Sequence, residues 1–160
     1  MTNAKPDFVY TTYIKTTPEK LWAAITTPEF ARQYWGGHEN VSDWKKGSGW
    51  KHADSKNSGD VRIIGKILES NPPKHLVLTW ADPNDTPDES RVTFEIVAAG
   101  DMVRLNVING NFKPGSTMAA KVSMGWPRVL SSLKSFIETG KPLNIWAGHP
   151  ACTPGKGEAA

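Results

Sequence analysis

Cysteine is almost absent from this chain. Cys152 is its only thiol, so no internal disulfide can form, and a reducing compartment is expected. Long apolar runs are absent too. No stretch approaches the roughly 18 apolar residues that a transmembrane helix needs, so no membrane association is expected. The opening M-T-N-A-K-P-D lacks an apolar segment, which argues against an export signal and for a cytoplasmic location. Charge is not concentrated either. Lys and Arg number 19 against 16 Asp and Glu, a net +3 spread along the chain with no basic cluster interleaved with aromatics. Such an even distribution gives no footprint for nucleic acid.

The usual chemical signatures are also missing. None of the four histidines, His38, His52, His75 and His149, stands at ligand spacing from another His, a Cys or a carboxylate, so no metal site is expected. No G-x-S-x-G elbow is present, and Cys152 lies near the end of the chain, which disfavours a nucleophile triad. Asp82, Asp85, Asp88 and Glu89 lack the glycine and terminal Glu of a calcium loop and read as a solvated hairpin loop. Gly36-Gly37 and Gly47-x-Gly49 are too short for a phosphate loop and open no amphipathic helix, so they are assigned to turns. No catalytic residue and no cofactor follow from these patterns, and an enzymatic role is disfavoured.

Tryptophan, by contrast, is abundant, with seven in 160 residues. Rings of that size supply core, and several together can also line a cavity for an apolar guest. The most organised stretch runs from Ser116 to Gly140. Met118, Val122, Trp126, Val129, Leu130, Leu133, Phe136 and Ile137 recur at steps of three and four, which places them on one stripe of a helix. Ser116 reads as its N-cap and Gly140 as its C′ residue, with Pro142 just beyond. Pro127 costs about 3 kcal/mol in a helix interior. The continuing stripe at Met118 and Val122 nevertheless favours one long helix, bent at Gly125–Pro127, over a short one starting there.

Upstream, Phe8–Lys15 alternates as a strand with Phe8, Tyr10, Thr12 and Ile14 on one face. Thr17-Pro18-Glu19 opens a first short helix with Leu21, Trp22 and Ile25 inward, and Thr27-Pro28-Glu29 opens a second through Tyr34. Six strands are then expected: around Trp44, around Trp50, and over 59–70, 75–80, 90–97 and 102–109. Ala81–Glu89 reads as an exposed loop and Gly100-Asp101 as a tight turn. Strands segregated from helices mean an α+β architecture, with a curved antiparallel sheet wrapped around the final helix.

Four segments carry a resemblance: Y-I-K-T-T-P-E-K-L-W-A-A-I-T-T-P-E-F (13–30), G-K-I-L-E-S-N-P-P-K-H-L-V-L-T-W (65–80), S-R-V-T-F-E-I (90–96) and G-W-P-R-V-L-S-S-L-K-S-F-I-E-T-G (125–140). Together they resemble the family named for the C-terminal domain of the activator of the 90-kDa heat-shock-protein ATPase, within the START-like helix-grip superfamily. The resemblance implies six to seven strands gripping the C-terminal helix, with a cavity between them that holds hydrophobic molecules in many relatives. The family often has a His just after the last strand. Asn109-Gly110-Asn111-Phe112 stands there instead, so no role is carried over. Residues 1–143 are expected to form a single START-like domain, and 144–160 a loosely ordered tail.

The expected cavity lining is Trp22, Phe30, Trp35, Trp50, Trp80 and Phe94, with Leu105 on the last strand and Met118, Val122, Trp126 and Leu130 on the long helix. Arg62, Glu69 and Arg104 are charges within strands; solvent is their ordinary destination, and a pocket's polar anchor is the alternative. Three functions remain: a binding module for a small apolar or amphipathic molecule, a co-chaperone acting on the 90-kDa heat-shock ATPase, and a cavity enzyme of cyclase or hydrolase type. The second is weakened because the chain lacks the separate N-terminal domain of the eukaryotic activator. A monomer or a homodimer is expected. Truncation after Leu143 should change the melting temperature little, and a large drop would place Trp146 on the body. Trp126→Ala should leave a folded protein, destabilised by about 2–3 kcal/mol if a pocket lies beside the ring.

Overall fold

The computed structural model describes residues 7–148. Its chain order is β1 (Phe8–Ile14), α1 (Pro18–Thr26), α2 (Pro28–Tyr34), β2 (His38–Val41), β3 (Gly49–Asp54), β4 (Val61–Asn71), β5 (His75–Asp82), β6 (Asp85–Ala99), β7 (Met102–Gly110) and α3 (Met118–Thr139). The seven strands form one antiparallel sheet in the order β1-β7-β6-β5-β4-β3-β2. This is the α+β helix-grip arrangement expected from the alternation of the strands. Register shifts interrupt the pairing at His52/Ala53, at Ile67/Glu69 and at Trp80/Asp82. Each such bulge bends and twists its strand, and so curls the sheet around α3.

Local sequence explains the ends of the helices. Thr17 Oγ1 accepts from Lys20 N at 3.2 Å and Pro18 occupies the first turn of α1. Helix α3 continues through Pro127. The carbonyl deprived of its donor there is that of Ser123, an exposed residue. Gly140 closes α3 in the left-handed conformation, φ 80°, its N–H donating to Phe136 O at 2.8 Å.

Two expectations about the middle of the chain are corrected. Trp44 does not mark a strand. It lies in the loop after β2 with φ 60°, because β2 begins earlier, directly after Gly36 and Gly37, whose positive φ values turn the chain out of α2. The stretch from Ala81 to Glu89 is not an exposed loop. Only Pro83 and Asn84 lie between β5 and β6, and Asp88 is 3% exposed. Its Oδ2 accepts from Thr117 N at 3.0 Å, Met118 N at 3.2 Å and Thr117 Oγ1 at 3.3 Å. Ser116 Oγ accepts from Met118 N at 3.1 Å, so Ser116 and Asp88 together cap α3. Acidic residues separated from the helix by 30 positions give no local signal of this role.

The segment from residue 144, expected to be a loosely ordered tail, packs on the body at its start. Ile145 is 6% exposed and belongs to the core. Arg128 Nη1 donates to Ile145 O at 3.0 Å and Ala147 O at 2.6 Å, while Ser132 Oγ exchanges hydrogen bonds with the Leu143 backbone. The remainder of that expectation, with His149 and Cys152, falls outside the described residues.

Truncation after Leu143 is therefore expected to remove a buried isoleucine. It should cost about 2 kcal/mol or more and lower the melting temperature by about 4–8 °C in a thermal melt; an unchanged midpoint would show that the segment adds nothing. A second test concerns Asp88. Burial would raise its pKa, but the bonds from Ser116, Met118 and Thr117 hold it below the usual carboxylate value. Its stabilising effect is thus complete above the unfolded value near 3.9 and is lost as pH falls through the lower folded value. Asp88→Asn should destabilise by about 1 kcal/mol at pH 7, and the difference from wild type should shrink below about pH 4 in denaturant melts.

Candidate functional site

The apolar face of α3 meets the sheet at a cluster of indoles. Trp126 is 3% exposed, and its ring centroid lies 5.6 Å from that of Trp35, 5.1 Å from Trp80 and 5.9 Å from Phe94. Its Nε1 donates to Asn109 Oδ1 at 3.1 Å. Asn109 is fully buried, and its Nδ2 donates to Ser90 Oγ at 2.9 Å and Arg91 O at 3.2 Å. Asn109 therefore anchors the helix to β6 and β7.

Two adjoining cavities lie between the first half of α3 and the sheet. One, of about 280 Å³, is walled by Trp35, Trp80, Trp126, Met118 and Val122, with Ile63 and Arg62 from β4. The second, of about 380 Å³, extends past Trp35 to His38, His52, Ile145 and Trp146. Both share Trp35, Arg62, Lys121, Gly125 and Val129, so together they form one cleft. Its size fits the roughly 300–1,000 Å³ typical of small-molecule sites.

The structure thus brings Trp35, Trp80, Met118, Val122 and Trp126 to the cleft walls. It does not bring the other expected residues there. Trp50 stands behind Trp80, ring centroids 5.3 Å apart, and its Nε1 donates to Thr79 O at 2.8 Å. That crossing requires Gly65, where a Cβ would collide with both Thr79 O and Trp50 Nε1. Phe94, Leu105 and Leu130 are core. Trp22 is half-buried at the margin of the core. Phe30 is 44% exposed and borders a separate depression with Phe136 and Ile137. That depression lies between α1, α2 and the C-terminal part of α3, away from the cleft.

Arg62, one of the strand charges that the sequence offered as a pocket's polar anchor, lines both cavities, whereas the two histidines of the cleft carried no such signal. His38 and His52, fourteen positions apart, are stacked at 5.2 Å because β2 and β3 pair. His52 Nδ1 lies 2.8 Å from Asn40 Oδ1, and Asn40 Nδ2 donates to Ile25 O. The amide oxygen must then accept, so His52 carries its proton on Nδ1. His38 Nδ1 faces Gly36 O at 3.2 Å. A carbonyl only accepts, so the neutral ring presents a bare Nε2, buried without a partner. Burial first, then the charges of His38 and Arg62, lowers His52 to about 3. Burial and the Arg62 charge also lower His38, against the Gly36 carbonyl and the carboxylates of Asp54 and Asp60. Both rings are neutral at pH 7. Among the described residues no group of three or more His, Cys, Asp or Glu is placed to hold a metal.

A curved antiparallel sheet closed over a long C-terminal helix, with an aromatic cleft between them, defines a START-like helix-grip protein. The sequence matches the family described as activator of Hsp90 ATPase homolog 1-like protein over residues 15–138, and the chain belongs to that family. No curated protein matches it. Among solved structures, it is similar to a protein from Mesorhizobium loti, 24% identical with a TM-score of 0.70 over 83% of this chain and 97% of that one. It is also similar to Aha1 from Colwellia psychrerythraea, solved as a dimer, 21% identical with a TM-score of 0.69 over 86% and 99%. A third is an HSP90 activator from Plasmodium falciparum, 21% identical with a TM-score of 0.66 over 85% and 97%. Among the described residues no helix is long and apolar enough to cross a membrane.

Trp126 is both core and cleft wall, so the expected cost of Trp126→Ala rises to about 3–5 kcal/mol. The milder Trp126→Phe isolates the hydrogen bond. It should destabilise by about 1–3 kcal/mol, because Asn109 Oδ1 is left buried without its donor. In chemical denaturation, a loss no larger than that of Phe94→Leu would show that the bond adds little beyond packing.

Proposed function

We propose that this protein binds a small apolar or amphipathic molecule in the cleft between α3 and the sheet. The observation that carries the reading is the wall formed by Trp35, Trp80 and Trp126 beside unfilled space. Three indoles could bury more area by closing on one another, and a cleft kept open beside them suits a planar apolar guest. We place the protein in the cytoplasm, as a monomer or homodimer.

A second reading is a co-chaperone that stimulates the 90-kDa heat-shock ATPase. The family description and the Plasmodium activator favour it. A pull-down and an ATPase assay with that chaperone test it, and stimulation would establish it independently of any ligand.

Gly125 provides the test of the cleft. It lies on α3, lines both cavities, and a Cβ added there meets nothing within 4 Å. Gly125→Phe should fill the cleft without loss of stability, since glycine is disfavoured in helix interiors by about 1 kcal/mol relative to alanine. The uncharged dye N-phenyl-1-naphthylamine should gain fluorescence with the wild type and not with this variant. Equal binding by a folded Gly125→Phe protein would locate the dye elsewhere and remove the proposal.

A further inference from the structure

The charges around the cleft are mostly positive, and its polar walls also hold one unpartnered acceptor, His38 Nε2. Arg62 projects from β4 and Lys121 and Arg128 from α3, and Asp82 is the one carboxylate among the residues lining the two cavities. The Arg62 pair with Asp60 uses Nε and Nη2, at 3.0 and 3.2 Å, so Nη1 takes no part in it. Lys121 Nζ stands 3.8 Å from Asp82, a loose pair. Arg128 is held by backbone carbonyls, and among the described residues no carboxylate pairs with it. The two histidines are neutral and add nothing to oppose these cations.

The placement of the charges matters as much as their sign. The side chains of Arg62 and Lys121 are 48% and 60% exposed, while Trp35, Trp80 and Trp126 are less than a tenth exposed. The cleft is thus apolar in its depth and cationic at its rim, with Arg62 on the sheet side and Lys121 on the helix side. One further donor faces the same need: Trp80 Nε1 is buried without a partner. Donors without acceptors are complemented by an acceptor, and beside cations the strongest acceptor is an anion.

We infer that the ligand is an organic anion: a planar apolar body seated among the indoles, with a carboxylate, sulfonate or phosphate held between Arg62 and Lys121. This rests on the cleft reading above and adds the charge of the ligand to it. Rim cations screened by water contribute modestly, so they select the anion while the indoles supply most of the affinity.

A matched pair of dyes separates the two claims. 8-Anilinonaphthalene-1-sulfonate and N-phenyl-1-naphthylamine share one ring system and differ by the sulfonate. Dissociation constants are measured for both, by fluorescence in low-salt buffer, with the wild type and with the double variant Arg62→Gln/Lys121→Gln. The affinity ratio of sulfonate to neutral dye is expected to fall about five- to tenfold in the double variant, with neutral-dye binding unchanged. That unchanged binding also reports an intact fold. An unchanged ratio, with the neutral dye still bound, overturns the anion assignment and leaves the cleft reading standing. Failure of the wild type to bind either dye overturns both.

Discussion

One hydrogen bond fixes where the long helix sits on the sheet. Trp126 Nε1 donates to Asn109 Oδ1, and Asn109 is committed through its amide to Ser90 and Arg91 on the neighbouring strand. Trp126, Asn109 and Ser90 are all buried. In such surroundings an unpaired member costs about 1–3 kcal/mol, so sliding or rotating α3 breaks several satisfied groups at once. Apolar burial along the stripe drives α3 onto the sheet. The indole bond decides the register at which it stops.

The cleft follows from that register. The start of α3 is tied down by Asp88 and Ser116, its middle by Trp126, and its second half by packing of Val129, Leu130 and Leu133. After α3 the chain doubles back, and Arg128 holds Ile145 and Ala147 against the helix. The returning segment meets Gly36, where a Cβ would lie 2.7 Å from Trp146 Nε1 and 3.0 Å from Ile145 Cδ1. Helix, sheet and returning segment are therefore each fixed by their own contacts. The space between them is a consequence of where those contacts hold them.

Much of this was legible in the sequence. Alternation over 8–15 and 90–109, and the stripe from Met118 to Ile137, identify β1, β6, β7 and α3, because burial of one face imposes period 2 or 3.6 on the residues themselves. Met118, Val122 and Trp126 were readable as cleft residues for the same reason. The rest depends on contacts distant in sequence. Asp88 looks like any acidic turn residue until Met118 arrives beside it. His38 and His52 become neighbours only through the pairing of two short strands. Trp22 and Phe30 do not line the cleft, because ring size indicates burial and does not say which part of the body a ring packs against.

Geometry also explains why a ring-rich interior stays incompletely filled. Trp126 meets Trp80 at 45° and Trp35 at 59°, whereas Trp35 and Trp80 lie within 21° of parallel at 6.3 Å. Flat rings inclined to one another leave wedge-shaped gaps that only small side chains can occupy. The position best placed to fill the wedge from α3 is residue 125, and it is glycine. A methyl group there would improve helix propensity by about 1 kcal/mol and would meet no obstruction. No positive φ and no close contact calls for glycine at this point of the helix, two residues before Pro127. The demand it does satisfy is room beside Trp126, which sets the indole wall apart from an ordinary core.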